Sequence, residues 1–118
     1  MIMVDTSVWI SHFRKTEKDL VDLLNKEMVA CHPYIIGEIA CGNLNNRSEI
    51  ILLLQSLPVT IQANHEEVLQ FIEMNKIMGQ GIGYIDVHLL VSALLTKVSI
   101  WTFDKKLQKV VRILGVEI

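Results

Sequence analysis

Residues 1–10 read MIMVDTSVWI. Ile2, Met3 and Val4 form a short apolar run of the kind that fills a buried strand. The run stops at Asp5, where Thr6 and Ser7 supply hydroxyls suited to a helix start, and Val8, Trp9, Ile10 and Phe13 continue at helical spacing. The same change from strand to acid to helix recurs at residues 98–107, VSIWTFDKKL, where Asp104 follows Ile100, Trp101, Thr102 and Phe103. Two strands that each feed a helix through an aspartate predict an α/β chain with a mainly parallel sheet.

Working outward, residues 17–27 (EKDLVDLLNKE) set Leu20, Leu23 and Leu24 on one helical face, and Met28 to Cys31 reads as a second strand. Pro33 marks the start of a helix carrying Ile35, Ile36, Glu38, Ile39 and Ala40, which Gly42 and Asn43 terminate. Arg47 to Leu57 reads as a helix broken by Pro58. Val59, Thr60 and Ile61 suggest a short strand, and Asn64 caps a helix to about Met78. A turn containing Gly79, Gly81 and Gly83 precedes a helix expected to begin at Asp86, with Leu89, Leu90, Ala93 and Leu94 at helical spacing. A last helix opens at Asp104 and closes at Gly115, before a terminal strand over Val116 to Ile118. No repeat or linker interrupts this order, so residues 1–118 are expected to form a single domain.

Composition narrows the function classes. The chain has 118 residues, 51% apolar and 20% charged, with 13 acidic and 11 basic groups. Disorder and low-complexity classes are excluded by that apolar content, given only 6 glycines and 2 prolines. A net charge of −2 excludes nucleic-acid binding through bulk charge, so a polyanion would have to be met by a local basic patch or a bound cation. No apolar run approaches the roughly 18 residues of a membrane span, and no secretion signal is read. Cys31 and Cys41 match neither a redox pair nor zinc spacing. Both read as small core residues in a reducing, cytoplasmic setting.

The acids carry the chemistry. Asp5 and Asp104 fall at strand ends, where ligands of open α/β sheets collect, and Asp86 begins a helix after a glycine-rich turn. Each could be a plain helix cap. Glu38 sits among Ile35, Ile36, Ile39 and Ala40, where a buried carboxylate would need a positive partner, unless it reaches solvent from the edge of that face. Gathered in one cleft, four carboxylates would repel one another and call for a cation. Hard oxygen ligands select Mg²⁺ or Mn²⁺, ions suited to phosphodiester hydrolysis. Helix N-termini at Asp86 and Asp104 are expected to favour their ionised forms.

MVDTSVWI, IIGEIACG, GIGYIDVHLLVSALL and IWTFDKKL with LGV, in this order and over nearly the whole chain, resemble the motifs of PIN domains. The similarity is greatest to the small VapC-type toxin ribonucleases of toxin–antitoxin pairs. The resemblance implies a three-layer α/β/α fold with Asp5, Glu38, Asp86 and Asp104 as the acidic pocket for Mg²⁺ or Mn²⁺. Glu38 is also assigned to orienting the attacking water, and Thr6, Ser7 and Thr102 to lining the pocket. It implies endonucleolytic RNA cleavage by water, the metal stabilising the phosphorane and the leaving 3′ oxygen. It further implies a homodimer and a small antitoxin that lies in an apolar groove. Phe103 stands where many relatives carry a basic residue, which removes one phosphate contact.

Positive charge concentrates at the end of the chain. Lys105, Lys109 and Arg112 share one face of the last helix and could hold an RNA backbone, or could simply be its solvated side. Arg14, Lys15 and Arg47 are weaker candidates. The glycine turn lacks the Lys-Ser or Lys-Thr of a phosphate loop, and His12, His32, His65 and His88 form no triad or zinc pattern. His88 reads as a packed or surface histidine, and Trp9 and Trp101 as core residues. Two other classes use similar acids: a receiver-like phosphoacceptor, which would need adjacent acids after the first strand, and a binding module that has lost its chemistry.

Overall fold

A computed structural model describes residues 1–118. Its elements are β1 (Ile2–Val4), α1 (Thr6–Arg14), α2 (Lys18–Asn25), β2 (Val29–Ala30), α3 (Pro33–Ala40), α4 (Arg47–Ser56), α5 (His65–Asn75), α6 (Tyr84–Thr96), β3 (Ser99–Trp101) and α7 (Lys105–Ile113). The sheet runs β2-β1-β3, wholly parallel, with Met3 opposite both Ala30 and Ile100. The chain leaves β1 in one direction to make β2 and returns across it to make β3. With right-handed crossovers, that reversal puts the connecting helices on opposite faces and leaves a crevice beyond the carboxyl ends of β1 and β3.

The two outer strands expected from sequence are reduced to single bridges, Cys31 to Val59 and Ile100 to Glu117. Both lie where sheet order places them, outside β2 and β3. At the first, Cys31 N–H reaches the Pro58 carbonyl at 2.8 Å and Thr60 N–H reaches the Cys31 carbonyl at 3.0 Å. Pro58 has no N–H to extend the ladder, and Val59 and Ile61 are exposed, so the segment stays a fragment of an edge.

Helix ends follow the local chemistry with three shifts. α5 starts on a reciprocal cap, Asn64 Oδ1 accepting from Glu67 N–H at 2.9 Å and Glu67 Oε1 from Asn64 N–H at 3.0 Å. It ends at Asn75 because Lys76 turns left-handed, φ 51°. α6 starts two residues before Asp86, which therefore stands inside the first turn. Residues 87–93 of α6 are buried without interruption, so it is the central helix and not an amphipathic cover. Leu94 emerges at its far end, exposed where helical spacing had put it in the core. Met3, Val4, Trp9, Leu20, Ile35, Leu90, Ile100 and Leu107 anchor one continuous core around the sheet. Cys31 belongs to it, but Cys41 is exposed because α3 ends one residue earlier and leaves it at the C-cap.

Candidate active site

The crevice between β1 and β3 is held by hydroxyls. Asp5 is buried at 6% exposure, its N–H completing the ladder to the Trp101 carbonyl at 2.9 Å. Its Oδ2 accepts from Thr102 Oγ1 at 2.7 Å, from Ser7 Oγ at 2.8 Å and from Ser7 N–H at 3.4 Å. Each hydroxyl has one proton, and both protons go to Asp5. The hydroxyl oxygens then accept from the next strand-to-helix turn: Thr102 Oγ1 from Asp104 N–H at 3.1 Å, and Ser7 Oγ from Phe103 N–H at 3.0 Å. Asp5 and Asp104, 99 positions apart in sequence, are thus tied through Thr102. Phe103 contributes through its backbone, while its ring sits edge-on to Trp101 at 5.8 Å.

Asp5 and Asp104 are helix caps as well as crevice residues. Asp104 Oδ1 accepts from Leu107 N–H at 3.0 Å at the start of α7. Asp86 reaches back instead, its Oδ2 accepting from Gly83 N–H at 3.2 Å. Glu38 is exposed, as the edge-of-face reading had it, and its Oε1 accepts from Thr6 Oγ1 at 2.8 Å. α1 and α3 pack side by side, so this bond closes the crevice on its third side.

Electrostatics join the four. Asp86's carboxyl is pushed above the usual carboxylate range, first by burial and then by repulsion from Asp5, Asp104 and Glu38, against the opposing bond from Gly83. At Asp86, desolvation and three like charges outweigh what the helix terminus and the Gly83 N–H contribute toward the ionised form. In every one of the four, one carboxylate oxygen takes protein donors and the other takes none. No basic side chain pairs with any of them, the sole ion pair being Arg112 with Glu117. As they stand, no three His, Cys, Asp or Glu side chains close on one point. Carboxylate oxygens without protein donors, in a crevice with no basic partner, are the kind of ligand that hard divalent cations take.

The PIN domain family profile matches residues 2–113. The chain belongs to that family. Its relatives include Ribonuclease VapC32 of Mycobacterium tuberculosis, from strains CDC 1551 and H37Rv, each 40% identical over 109 residues, spanning 92% of this chain and 88% of the relative. The crystal structure of PAE2754 from Pyrobaculum aerophilum superposes with a TM-score of 0.60 over 98% of this chain and 90% of that one, at 14% identity, a likeness of fold.

In this PIN domain the basic candidates divide. Lys105 and Lys109 are exposed on α7 and carry no ion pair. Arg112 is engaged with Glu117 at 3.1 Å. Arg14 lies at the far end of α1, beside Asn43 to Asn46 and away from the four acids. Arg47 serves structure, its Nε and Nη2 donating to the Ala40 carbonyl at 3.1 and 2.9 Å. The sequence reading passed over two residues. Gln108 Nε2 donates to the Thr102 carbonyl at 2.8 Å and braces the β3 end of the crevice; its place one turn after the Asp104 cap was the available signal. Lys106 lies against Gly81, whose Cα would place a Cβ 2.7 Å from Lys106 Cδ, so the turn before Asp86 rests on α7. His88 is packed, in a ring cluster with His32, Tyr34 and Tyr84 on the side of α6 away from Asp86.

Proposed function

We propose that this chain is a divalent-metal-dependent endoribonuclease, the toxin half of a toxin–antitoxin pair. The observation carrying the proposal is the crevice of four carboxylates, each with one oxygen free of protein donors and none with a basic partner. The curated relatives at 40% identity, named ribonucleases, supply the substrate class. Asp5, Asp86, Asp104 and Glu38 would hold Mg²⁺ or Mn²⁺, which supplies charge neutralisation and Lewis acidity for phosphodiester hydrolysis.

The chain's own groups do the rest. Ser7 and Thr102 aim Asp5, and Thr102 fixes the turn that presents Asp104. Asp86, whose carboxyl is pushed up by burial and by the other three acids, has its ionised form favoured when positive charge arrives. Glu38, exposed and with Oε2 free, orients the attacking water and takes up its proton as the bond from phosphorus to the 3′ oxygen breaks, that oxygen leaving as a hydroxyl with a proton from solvent. Lys105 and Lys109 line the approach of the RNA backbone.

The same reading takes residues 1–118 as one domain working in the cytoplasm as a homodimer with a small antitoxin. Exposed Leu52 (67%), Met74 (81%) and Ile61 (54%) leave apolar surface for those interfaces. Single-stranded RNA incubated with purified protein tests the activity. Cleavage should require Mg²⁺ or Mn²⁺, stop with chelator, and fall roughly a hundredfold or more in Asp5→Asn, Asp86→Asn, Asp104→Asn and Glu38→Gln. A variant that folds and keeps the full metal-dependent rate removes its residue from the site, and metal-independent cleavage overturns the mechanism.

A further inference from the structure

Beside the acidic crevice, along α1 and into the loop that follows α3, lies a second feature. Thr6 and Glu38 are joined by their hydrogen bond, and four residues further on stand Ile10, within α1, and Gly42, two residues past the end of α3. Along α1, one helical turn, about 6 Å, separates Thr6 from Ile10. Ile10 and Gly42 form the near rim of the largest cavity in the molecule, about 540 Å³, which continues over Phe13, Arg14 and the loop of Asn43, Asn45 and Asn46.

This cavity is built for a ligand that offers a flat apolar face, hydrogen-bonding edges and negative charge. The three amides and the Arg14 guanidinium make no hydrogen bond or ion pair within the protein, although all are exposed. No carboxylate lines the cavity. Its loop is braced by the two bonds from Arg47 to the Ala40 carbonyl and by left-handed Asn46, so the amides are presented on a fixed frame. Phe13 stacks on Trp9 with ring centroids 6.0 Å apart, which gives the apolar wall a rigid backing. Asparagine amides pair with base edges, aromatic rings take base faces, and Arg neutralises phosphate.

We infer that this cavity is a nucleobase subsite that receives an unpaired base one or two nucleotides from the phosphate in the acidic crevice. The inference rests on the ribonuclease reading above and adds sequence preference to it. Asn43 and Asn45 are positioned to select the base, while the acids select only the phosphate.

The test is cleavage of a randomised single-stranded RNA decamer with Mn²⁺, with sequencing of the new ends, by wild type and by Asn43→Ala/Asn45→Ala. Wild type should show a base preference at one or two positions beside the cut. The double variant should lose that preference and raise KM roughly tenfold, with kcat at saturation retained. If the alanine variant fails to fold, Asn43→Asp/Asn45→Asp, equal in size but repelling phosphate, should show the same loss. Wild type that cuts RNA while the folded variants keep its preference and KM overturns the subsite and leaves the ribonuclease intact. Variants that lose only a protein partner, with RNA handling unchanged, overturn it too. Wild type that cuts no RNA overturns both.

Discussion

Replacing Thr102 by valine isolates what one buried hydroxyl does for two acids. Thr102 is 3% exposed, donates to Asp5 Oδ2 at 2.7 Å and accepts from Asp104 N–H at 3.1 Å. Valine fills the same space without the hydroxyl. Losing a hydrogen bond to a carboxylate costs roughly 1.5–3 kcal/mol, and leaving the Asp104 N–H without its acceptor adds roughly 1 kcal/mol. The extra buried methyl returns about 0.8 kcal/mol at most. The net loss is about 2–3 kcal/mol, a fall in melting temperature on the order of 10 °C for a domain of this size. Because Asp5 and Asp104 both lose a positioning partner, metal-dependent cleavage should fall roughly tenfold to a hundredfold, mainly in kcat. Thr102→Ser keeps the hydroxyl, so it should lose about 1 kcal/mol for the missing methyl and stay close to wild-type activity. Thermal unfolding and RNA cleavage read both. The reasoning is refuted if Thr102→Val melts within a degree of wild type and cleaves at its rate, or if serine is as damaging as valine.

Three further outcomes follow from the same structure. His32, 1% exposed, is pushed down to about 4 by burial and by the charge of His88, against 6.5 when unfolded. The unfolded chain therefore binds the extra proton first, so stability from this group is complete above about 6.5 and is lost as pH falls toward about 4; the gap corresponds to about 3 kcal/mol. Urea midpoints measured from pH 7.5 to 4.5 should fall accordingly, and a flat profile would contradict the burial. Saturating Mg²⁺ or Mn²⁺ should raise stability by about 2.7 kcal/mol at a hundredfold excess over Kd. Asp86→Asn, relieved of repulsion, should match or exceed wild type without metal and gain less from it, as calorimetry would show. Burial pushes the Cys31 thiol up to about 11, while Cys41 is exposed. Alkylation of native protein at pH 8 should modify Cys41 alone by peptide mass, and denaturation should release Cys31; rapid native labelling of Cys31 would be the contrary result.

The acids were legible because strand-to-helix junctions are local. Val4 before Asp5 and Phe103 before Asp104 announce themselves by the end of an apolar run. Glu38 was legible only as a choice between buried and edge positions, since helical spacing fixes a direction and not what stands opposite. The start of α6 was read two residues late, at Asp86, because the true cap, Gly83, has no side chain to signal it. Lys106 and Gln108 were invisible for a different reason: their partners, Gly81 and the Thr102 carbonyl, are chosen by how α7 docks.

The residue order alone settled the α/β class, the run of strands and helices, and the place of Asp5 and Asp104 at the heads of α1 and α7, because these depend on interactions spanning a few residues. Tertiary structure settled which oxygens of those acids are free, how Thr102 joins β1 to β3, and which cations are already engaged. It also brought the asparagine loop beside α1, where Phe13, Arg14 and the loop line one cavity. Those outcomes depend on chain segments up to 97 positions apart meeting at hydrogen-bond distance, and no local pattern encodes the side of a helix on which a distant partner will arrive.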